Sequence, residues 1–367
     1  MRDIHILMTA DAAGGIWTYA LETVRALSAR GISTTLALLG DRPGDLALRE
    51  AQAIAGLHIE LTGLPLDWTA ADASEVTHAG EQIAHLARRV GADLVQLNAP
   101  ALAASASFAV PAIGVLHSCV ATWWEGVHGD IALPADLDWR AKLTRAGLNR
   151  VDMAIAPSQA LARQARRIYA LPHMPAVIHN GRSPSDRGSA ATRDIPILTA
   201  GRLWDEGKNV AVLDRAAGRL PLSICAAGPL QGPNGAAVQL DRLDWLGTLD
   251  PPALRDMMSR SAVFVSAALY EPFGLAVLEA AQAGCALLLA DIPTFRELWD
   301  GAAVFVAPSD DRAIADALNN LMSDTALRTR LATAAERRAA HYTIDKSADA
   351  LAALIRSLRA EPQRRAS

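Results

Sequence analysis

The chain has 367 residues, enough for two domains with sizeable cores, and 51% of them are hydrophobic, yet no segment reaches the roughly 18 uninterrupted apolar residues of a membrane span. A formal net charge of −4 argues against a general nucleic-acid binder, which needs a basic surface to neutralise phosphates. The three cysteines, Cys119, Cys225 and Cys285, lack metal-ligand spacing and fit reduced thiols, and the charged start runs into a strand with no cleavage site, so a cytoplasmic location is expected.

Ile4 to Met8 reads as a strand, Ile16, Ala20, Val24 and Leu27 as a helical stripe ending at Gly31, and Leu36 to Leu39 as the strand that completes a βαβ unit. Gly14 and Gly15 lie between the first strand and the helix, where paired glycines let the backbone approach a phosphate or a sugar. They lack the full Gly-x-Gly-x-x-Gly spacing, and Leu38-Leu39-Gly40 puts no acid at the next strand end, so an NAD site is the poorer choice. Asp93 to Leu97, Ile113 to Leu116, Met153 to Ala156 and Ala176 to Ile178 add short strands of a doubly wound sheet. His117 stands at one of these strand ends, where it could hold a ligand hydroxyl, carry a proton, or act as a hydrogen-bonded structural residue. Trp123 and Trp124 follow it and offer flat faces on which sugar rings could stack. Asp136-Leu137-Asp138 imitates a metal-binding pair, but it follows a proline in a polar loop, which suits a turn or helix start. Arg140, Lys142, Arg145, Arg150, Arg163, Arg166 and Arg167 read as a solvated helix face; the alternative is weak peripheral docking on an anionic membrane or acceptor.

His179 precedes Asn180-Gly181, read as the backbone geometry of an interdomain turn. The polar, breaker-rich stretch 184–194 is the expected linker between a first domain, 1–183, and a second, 195–343. Strands resume at Ile197 to Ala200, Leu222 to Ala226, Val263 to Val265, Ala286 to Leu289 and Val304 to Val306, and after Pro308 only helices remain. Gly201-Arg202 closes the first of these strands and Lys208 follows at a helix start. Gly201 to Asn209 imitates a P-loop, but five residues separate Gly201 from Gly207 and Asn209 replaces the metal-binding hydroxyl, which argues against mononucleotide hydrolysis. Glu271-Pro272-Phe273-Gly274-Leu275 then leads to Glu279, setting two carboxylates eight positions apart around a glycine turn that opens a helix. The backbone N–H groups of Phe273, Gly274 and Leu275 make a positive helix start, and Gly274 admits close approach of a phosphate. Arg202 and Lys208 beside it would clamp a diphosphate.

Glu271 to Gly284 resembles the E-x7-E signature of the retaining GT-B glycosyltransferases, most of all the large family 4, the group 1 glycosyltransferases. Gly201-Arg202-Leu203 with Lys208, Ala226-Ala227-Gly228-Pro229, Leu246-Gly247, Val177 to Gly181 and Gly14-Gly15 also match that family's motifs, in the same order over nearly the whole chain. The resemblance implies an α/β, GT-B fold, two Rossmann-like doubly wound domains facing across a cleft, with a tail helix in 344–367 crossing back to the first. It assigns Arg202 and Lys208 to the donor phosphates, Glu279 to the ribose, Glu271 to a hydroxyl of the donor sugar, and a functional role to His117. The activity it implies is transfer of a hexose from a UDP- or GDP-sugar to a carbohydrate, lipid-linked or small-molecule acceptor, with retention, in polysaccharide or glycoconjugate biosynthesis. No separate carboxylate stands out as a covalent nucleophile, which favours front-face displacement, and no acidic pair closes a strand, so no metal or cofactor is expected. Two departures stand out: Asp291 to Glu297 lacks the family's paired glycines although Glu297 matches its acid, and Cys285 stands where many relatives carry proline. The rival readings are a nucleotide-sugar epimerase of GT-B type, whose acid and base groups the sequence does not reveal, and a non-catalytic sugar-nucleotide-binding subunit. Retention of Glu271, Glu279, Arg202, Lys208 and His117 together argues against the latter.

Overall fold

Short, continuously apolar runs become parallel strands buried on both faces, the form they take when helices cover a sheet from either side. The computed structural model describes residues 4–12, 15–183 and 193–360. Gly14 and residues 184–192 of the expected linker lie outside the described residues. The chain divides into two units, Met1–Gly181 with Ile344–Ser367, and Arg182–Thr343.

The first unit's strands are β1 (Ile4–Asp11), β2 (Ile32–Leu39), β3 (Leu57–Leu61), β4 (Leu94–Leu97), β5 (Ala112–Val115), β6 (Met153–Ala156) and β7 (Ala176–Val177). They pair in the order β3-β2-β1-β4-β5-β6-β7, all parallel, with Ile4 opposite Ile32 and Asp11 opposite Leu39. Its helices are α1 (Gly15–Ser28), α2 (Asp45–Gln52), α3 (Ala73–Arg89), α4 (Val120–His128), α5 (Asp138–Arg150) and α6 (Gln159–Tyr169). The second unit holds β8 (Ile195–Ala200), β9 (Ile224–Ala227), β10 (Asp244–Trp245), β11 (Ser261–Ser266), β12 (Ala286–Ala290) and β13 (Val304–Val306), in the parallel order β10-β9-β8-β11-β12-β13. Around that sheet lie α7 (Val210–Ala217), α8 (Pro251–Arg260), α9 (Leu275–Gln282), α10 (Pro293–Trp299), α11 (Asp311–Ser323) and α12 (Thr325–Ala339), and α13 (Ile344–Ala360) follows in the first unit. The two strands that the sequence reading missed, β3 and β10, are sheet edges. Their half-exposed or very short sequences lack the buried apolar run that marks the others.

Period-two alternation fills both faces of each sheet. β1 sends Leu7 into one cluster and Ile4, Ile6 and Met8 into the other, and β11 does the same with Phe264 against Val263 and Val265. α13 packs on α1 through Leu351 and Ile355, each worth roughly 1.5–3 kcal/mol when buried. The ion pairs from Arg30 to Asp345 at 3.2 Å and Asp349 at 2.7 Å involve carboxylates 72% and 70% exposed. Pairs of that kind contribute at most about 1 kcal/mol each, so the apolar stripe governs the docking of α13.

Both sheets reverse their strand order once, the first between β1 and β4 and the second between β8 and β11. The carboxyl ends of strands at such a reversal are splayed by diverging connections, which leaves a crevice for ligands.

Candidate active site

In the second unit, the reversal gathers the charged residues that the sequence singles out. Gly201 follows β8, and Gly228 follows β9 so closely that a Cβ there would lie 1.8 Å from the Gly201 carbonyl oxygen. Gly228 of the Ala-Ala-Gly-Pro motif is thus a packing glycine that lets the two strand ends touch. Arg202 donates from Nη2 to Asp205 Oδ2 at 2.8 Å, and Asp205 Oδ1 accepts the Gly207 N–H at 2.9 Å. The sequence reading passed over Asp205, yet its buried carboxylate both caps the 3₁₀ turn Glu206–Lys208 and holds Arg202.

Asn209 sits in the left-handed region with φ 55° and donates its amide to the carbonyls of Ala267 at 3.0 Å and Pro308 at 2.8 Å. Leu269 N–H donates to the Gly207 carbonyl at 2.9 Å. These bonds press the turn against the loop leaving β11, so Lys208 Nζ meets Glu271 Oε2 at 2.5 Å. Sequence spacing alone kept the cation and the carboxylate in separate motifs. The fold makes them one ion pair, with side chains 23% and 13% exposed.

α9 opens on Gly274, whose φ of 92° suits only glycine without strain, and no side chain caps the helix. α2, α4, α5, α7 and α10 likewise carry no side-chain cap, whereas α3, α6, α8, α11 and α12 are capped by an Asp or Ser side chain; α9 differs from the other uncapped helices in that the loop leading into it carries Glu271, the partner of Lys208. The first N–H groups of α9 lack intrahelical acceptors and, with the helix dipole, favour an anion there. Phe273 contributes only backbone: its ring is 3% exposed and packs edge-on against Tyr342 at 5.7 Å. Leu275 is the helix's first residue and Glu279 lies one turn further on.

Glu279 Oε1 takes Arg182 Nη2 at 2.7 Å, with the side chains only 11% and 19% exposed. The Arg182 backbone N–H donates to the Tyr342 carbonyl at 3.2 Å, and Arg182 forms a parallel bridge with Thr343. No motif pointed to Arg182. Its only sequence signal is a cation directly after the Asn-Gly turn.

In the first unit, His117 follows β5, with Nε2 3.1 Å from Asn98 Oδ1 and its ring 4.4 Å from Tyr19 in an edge-on contact. Burial pushes the imidazole pKa down to about 4. Gly15 is an exposed residue at the start of α1. Trp123 and Trp124 lie on α4 and pack with His128 rather than each presenting a bare face: the Trp124 and His128 rings are 3.9 Å apart, and Trp124 Nε1 donates to the Ile131 carbonyl at 2.8 Å. Asp138 begins α5 and pairs with Lys142 at 2.6 Å. Several of the basic residues hold structure: Arg140 donates to the Ala70 carbonyl at 2.7 Å and Arg167 grips Glu125 at 2.7 and 2.6 Å. Asn180 and Gly181 are buried, while His179 is half-buried. Asp291, in the loop after β12, is clamped at 2.7 Å by two nitrogens of Arg296 from α10, and the guanidinium lies over the Phe305 ring. Among the described residues no cluster of three or more His, Cys, Asp or Glu could hold a metal ion, and no helix is long and apolar enough to cross a membrane.

The family description Glycosyl transferases group 1 matches residues 189–338, and Glycosyltransferase Family 4 matches residues 13–186. Two glycogen synthases of Mycobacterium tuberculosis, strains CDC 1551 / Oshkosh and ATCC 25618 / H37Rv, are each 35% identical over 96 residues, 26% of this chain. The chain thus spans only 23% of the length of the curated relatives it matches. Sucrose-phosphate synthase from Thermosynechococcus elongatus superposes with a TM-score of 0.78 at 18% identity, covering 97% of this chain and 99% of that one. Anabaena HepE in complex with UDP-glucose gives 0.75 at 18% identity, covering 96% of this chain and 100% of that one. The fold is accordingly GT-B, with two Rossmann-like domains.

Proposed function

We propose that this chain, which belongs to the group 1 glycosyltransferases of family 4, transfers a hexose from a nucleoside-diphosphate sugar to an acceptor hydroxyl with retention and without a metal. The observation that carries this reading is the grouping of Lys208, Glu271, Arg202 and the uncapped start of α9 at the strand reversal of the second unit. Two cations and a helix N-terminus suit a diphosphate, and flanking carboxylates suit sugar hydroxyls. UDP-glucose in a neighbour of the same fold supports a UDP-sugar as the first donor to try.

In this reading Lys208 and Arg202 leave their carboxylate partners for the donor's diphosphate and stabilise it as the bond from the anomeric carbon to the phosphate oxygen breaks. Glu279, oriented by Arg182, accepts a ribose hydroxyl. Glu271, released from Lys208, accepts a hydroxyl of the hexose. His117 is taken to bind a hydroxyl of the transferred sugar, and Trp123 and Trp124 to serve acceptor binding. The acceptor oxygen bonds to the anomeric carbon on the face that the phosphate leaves, and the departing phosphate takes the acceptor's proton. Water would take the acceptor's place if admitted, so exclusion of solvent from the loaded site is part of the chemistry.

Incubating the protein with UDP-, GDP- and ADP-sugars and a panel of carbohydrate, lipid-linked and small-molecule acceptors, with excess EDTA throughout, tests the reading. Nucleotide release with an α-donor yielding an α-product supports it. Nucleotide release absent with every donor, or restored only by Mg²⁺ or Mn²⁺, would contradict the activity or its metal independence.

A further inference from the structure

The first unit holds a buried polar network that donor binding in the second unit leaves unexplained. Asn98 lies just past the carboxyl end of β4, beside β1 at the reversal of the strand order, and is 7% exposed. Its backbone N–H donates to Thr9 Oγ1 at 2.9 Å, and its Nδ2 donates to the Thr9 carbonyl at 2.7 Å. A carbonyl can only accept, so the amide has one permitted orientation and Oδ1 faces the other way. Toward Oδ1 point Gln96 Nε2 at 3.2 Å and His117 Nε2 at 3.1 Å. Gln96 Nε2 also reaches Tyr19 Oη at 3.3 Å, and the Tyr19 ring meets the imidazole edge-on at 4.4 Å, which fixes the plane of the ring.

An amide oxygen offers no proton, so the hydrogen on this contact belongs to His117 Nε2. Burial holds the imidazole pKa at about 4, so the ring is neutral near pH 7 and its single proton is already placed. Among the described residues the ring's hydrogen bond is the one from Nε2, which leaves the lone pair on Nδ1. We propose that Asn98 is a positioning residue that locks His117 in the Nε2–H tautomer and so presents Nδ1 as a hydrogen-bond acceptor to a substrate hydroxyl. This rests on the reading of His117 as a substrate-facing group, and it narrows that group's chemistry. His117 accepts a hydroxyl proton's hydrogen bond; it neither donates from Nδ1 nor approaches the leaving phosphate as an imidazolium.

Nitrogen-15 NMR of histidine-labelled protein reads the tautomer directly, with His117→Gln used only to assign the signal. At pH 7 the wild type should show a protonated Nε2 and an unprotonated Nδ1. Asn98→Ala should mix the tautomers and lower kcat/KM about tenfold, the scale of one lost hydrogen bond. Asn98→Asp should keep the proton on Nε2 but hold the ring charged to higher pH. A wild-type Nδ1–H tautomer, or an even mixture, overturns the lock, and this spectrum decides the matter even if Asn98→Ala fails to fold. Unchanged turnover in a folded Asn98→Ala with mixed tautomers overturns the presentation of Nδ1 to substrate. Absence of transfer by the wild type with any donor, alongside the stated tautomer, would instead count against the glycosyl-transfer reading.

Discussion

Replacing Arg182 by Ala removes the partner of a carboxylate that the fold has largely taken out of water. The two side chains are 11% and 19% exposed and 2.7 Å apart, so the pair lies much nearer the buried regime than the surface one. Breaking a buried pair by deleting one member costs about 3–5 kcal/mol, whereas an exposed pair is worth about 0–1 kcal/mol. With residual solvent access on the Glu279 side, a loss of about 3 kcal/mol from the unfolding free energy is expected for Arg182→Ala. Glu279→Ala should cost less than the sum implies when combined with Arg182→Ala, because the second deletion removes the uncompensated charge left by the first. If Glu279 holds the ribose, Arg182→Ala should also weaken binding of free UDP and GDP about tenfold, since an unanchored carboxylate must be ordered on binding. Urea unfolding of the two single variants and the double variant, with calorimetry of free nucleotide on each, measures all of this. Stability within about 0.5 kcal/mol of wild type in Arg182→Ala, the range of an ordinary surface change, together with unaltered nucleotide affinity, would refute both the energetic argument and the positioning role.

Three further outcomes are expected. Glu271→Gln removes the anion that holds Lys208 at 2.5 Å, so free nucleoside diphosphate should bind as well or a few-fold better while turnover falls about tenfold or more; weaker nucleotide binding by calorimetry would contradict the partner exchange of Lys208. The folded His117 pKa of about 4 lies below its ordinary 6.5, so between these values the unfolded chain binds a proton that the folded chain refuses. This contribution to stability is complete above the upper value and is lost as pH falls toward the lower one, by up to about 3 kcal/mol, and His117→Gln should flatten the difference in urea stability between pH 7 and pH 4.5; equal slopes in both proteins would count against it. Gly274→Ala forces a Cβ into a φ of 92° and to 3.1 Å from Phe295 Cε1, which should cost about 1–2 kcal/mol in thermal unfolding and weaken free UDP; a neutral substitution would show that the turn is not constrained as described.

The strands buried on both faces follow from local composition, because a continuous apolar run such as Ala286 to Ala290 has no stable exposed form, and the glycine-opened helix carrying Glu279 follows from Gly274 and Gly284 bracketing one apolar stretch. Local signals also put Arg202, Lys208 and Glu271 beside strand ends, where an α/β sheet collects ligands. What each charge touches was decided by the tertiary structure. Lys208 meets Glu271 because Asn209 and Gly207 tie two loops 63 residues apart in sequence, and Arg182 meets Glu279 because the chain entering the second unit is bridged to the segment leaving it at Thr343. Asn98 shows the same limit in the first unit: an isolated asparagine carries no local pattern, and only the adjacency of β1 and β4, separated in sequence by β2 and β3, sets its amide between Thr9 and His117. Periodicity and turn chemistry act over a few residues and are legible in order along the chain. Ion pairs and amide orientations depend on which distant backbone arrives at a given strand end, and that is fixed only when the sheet has assembled.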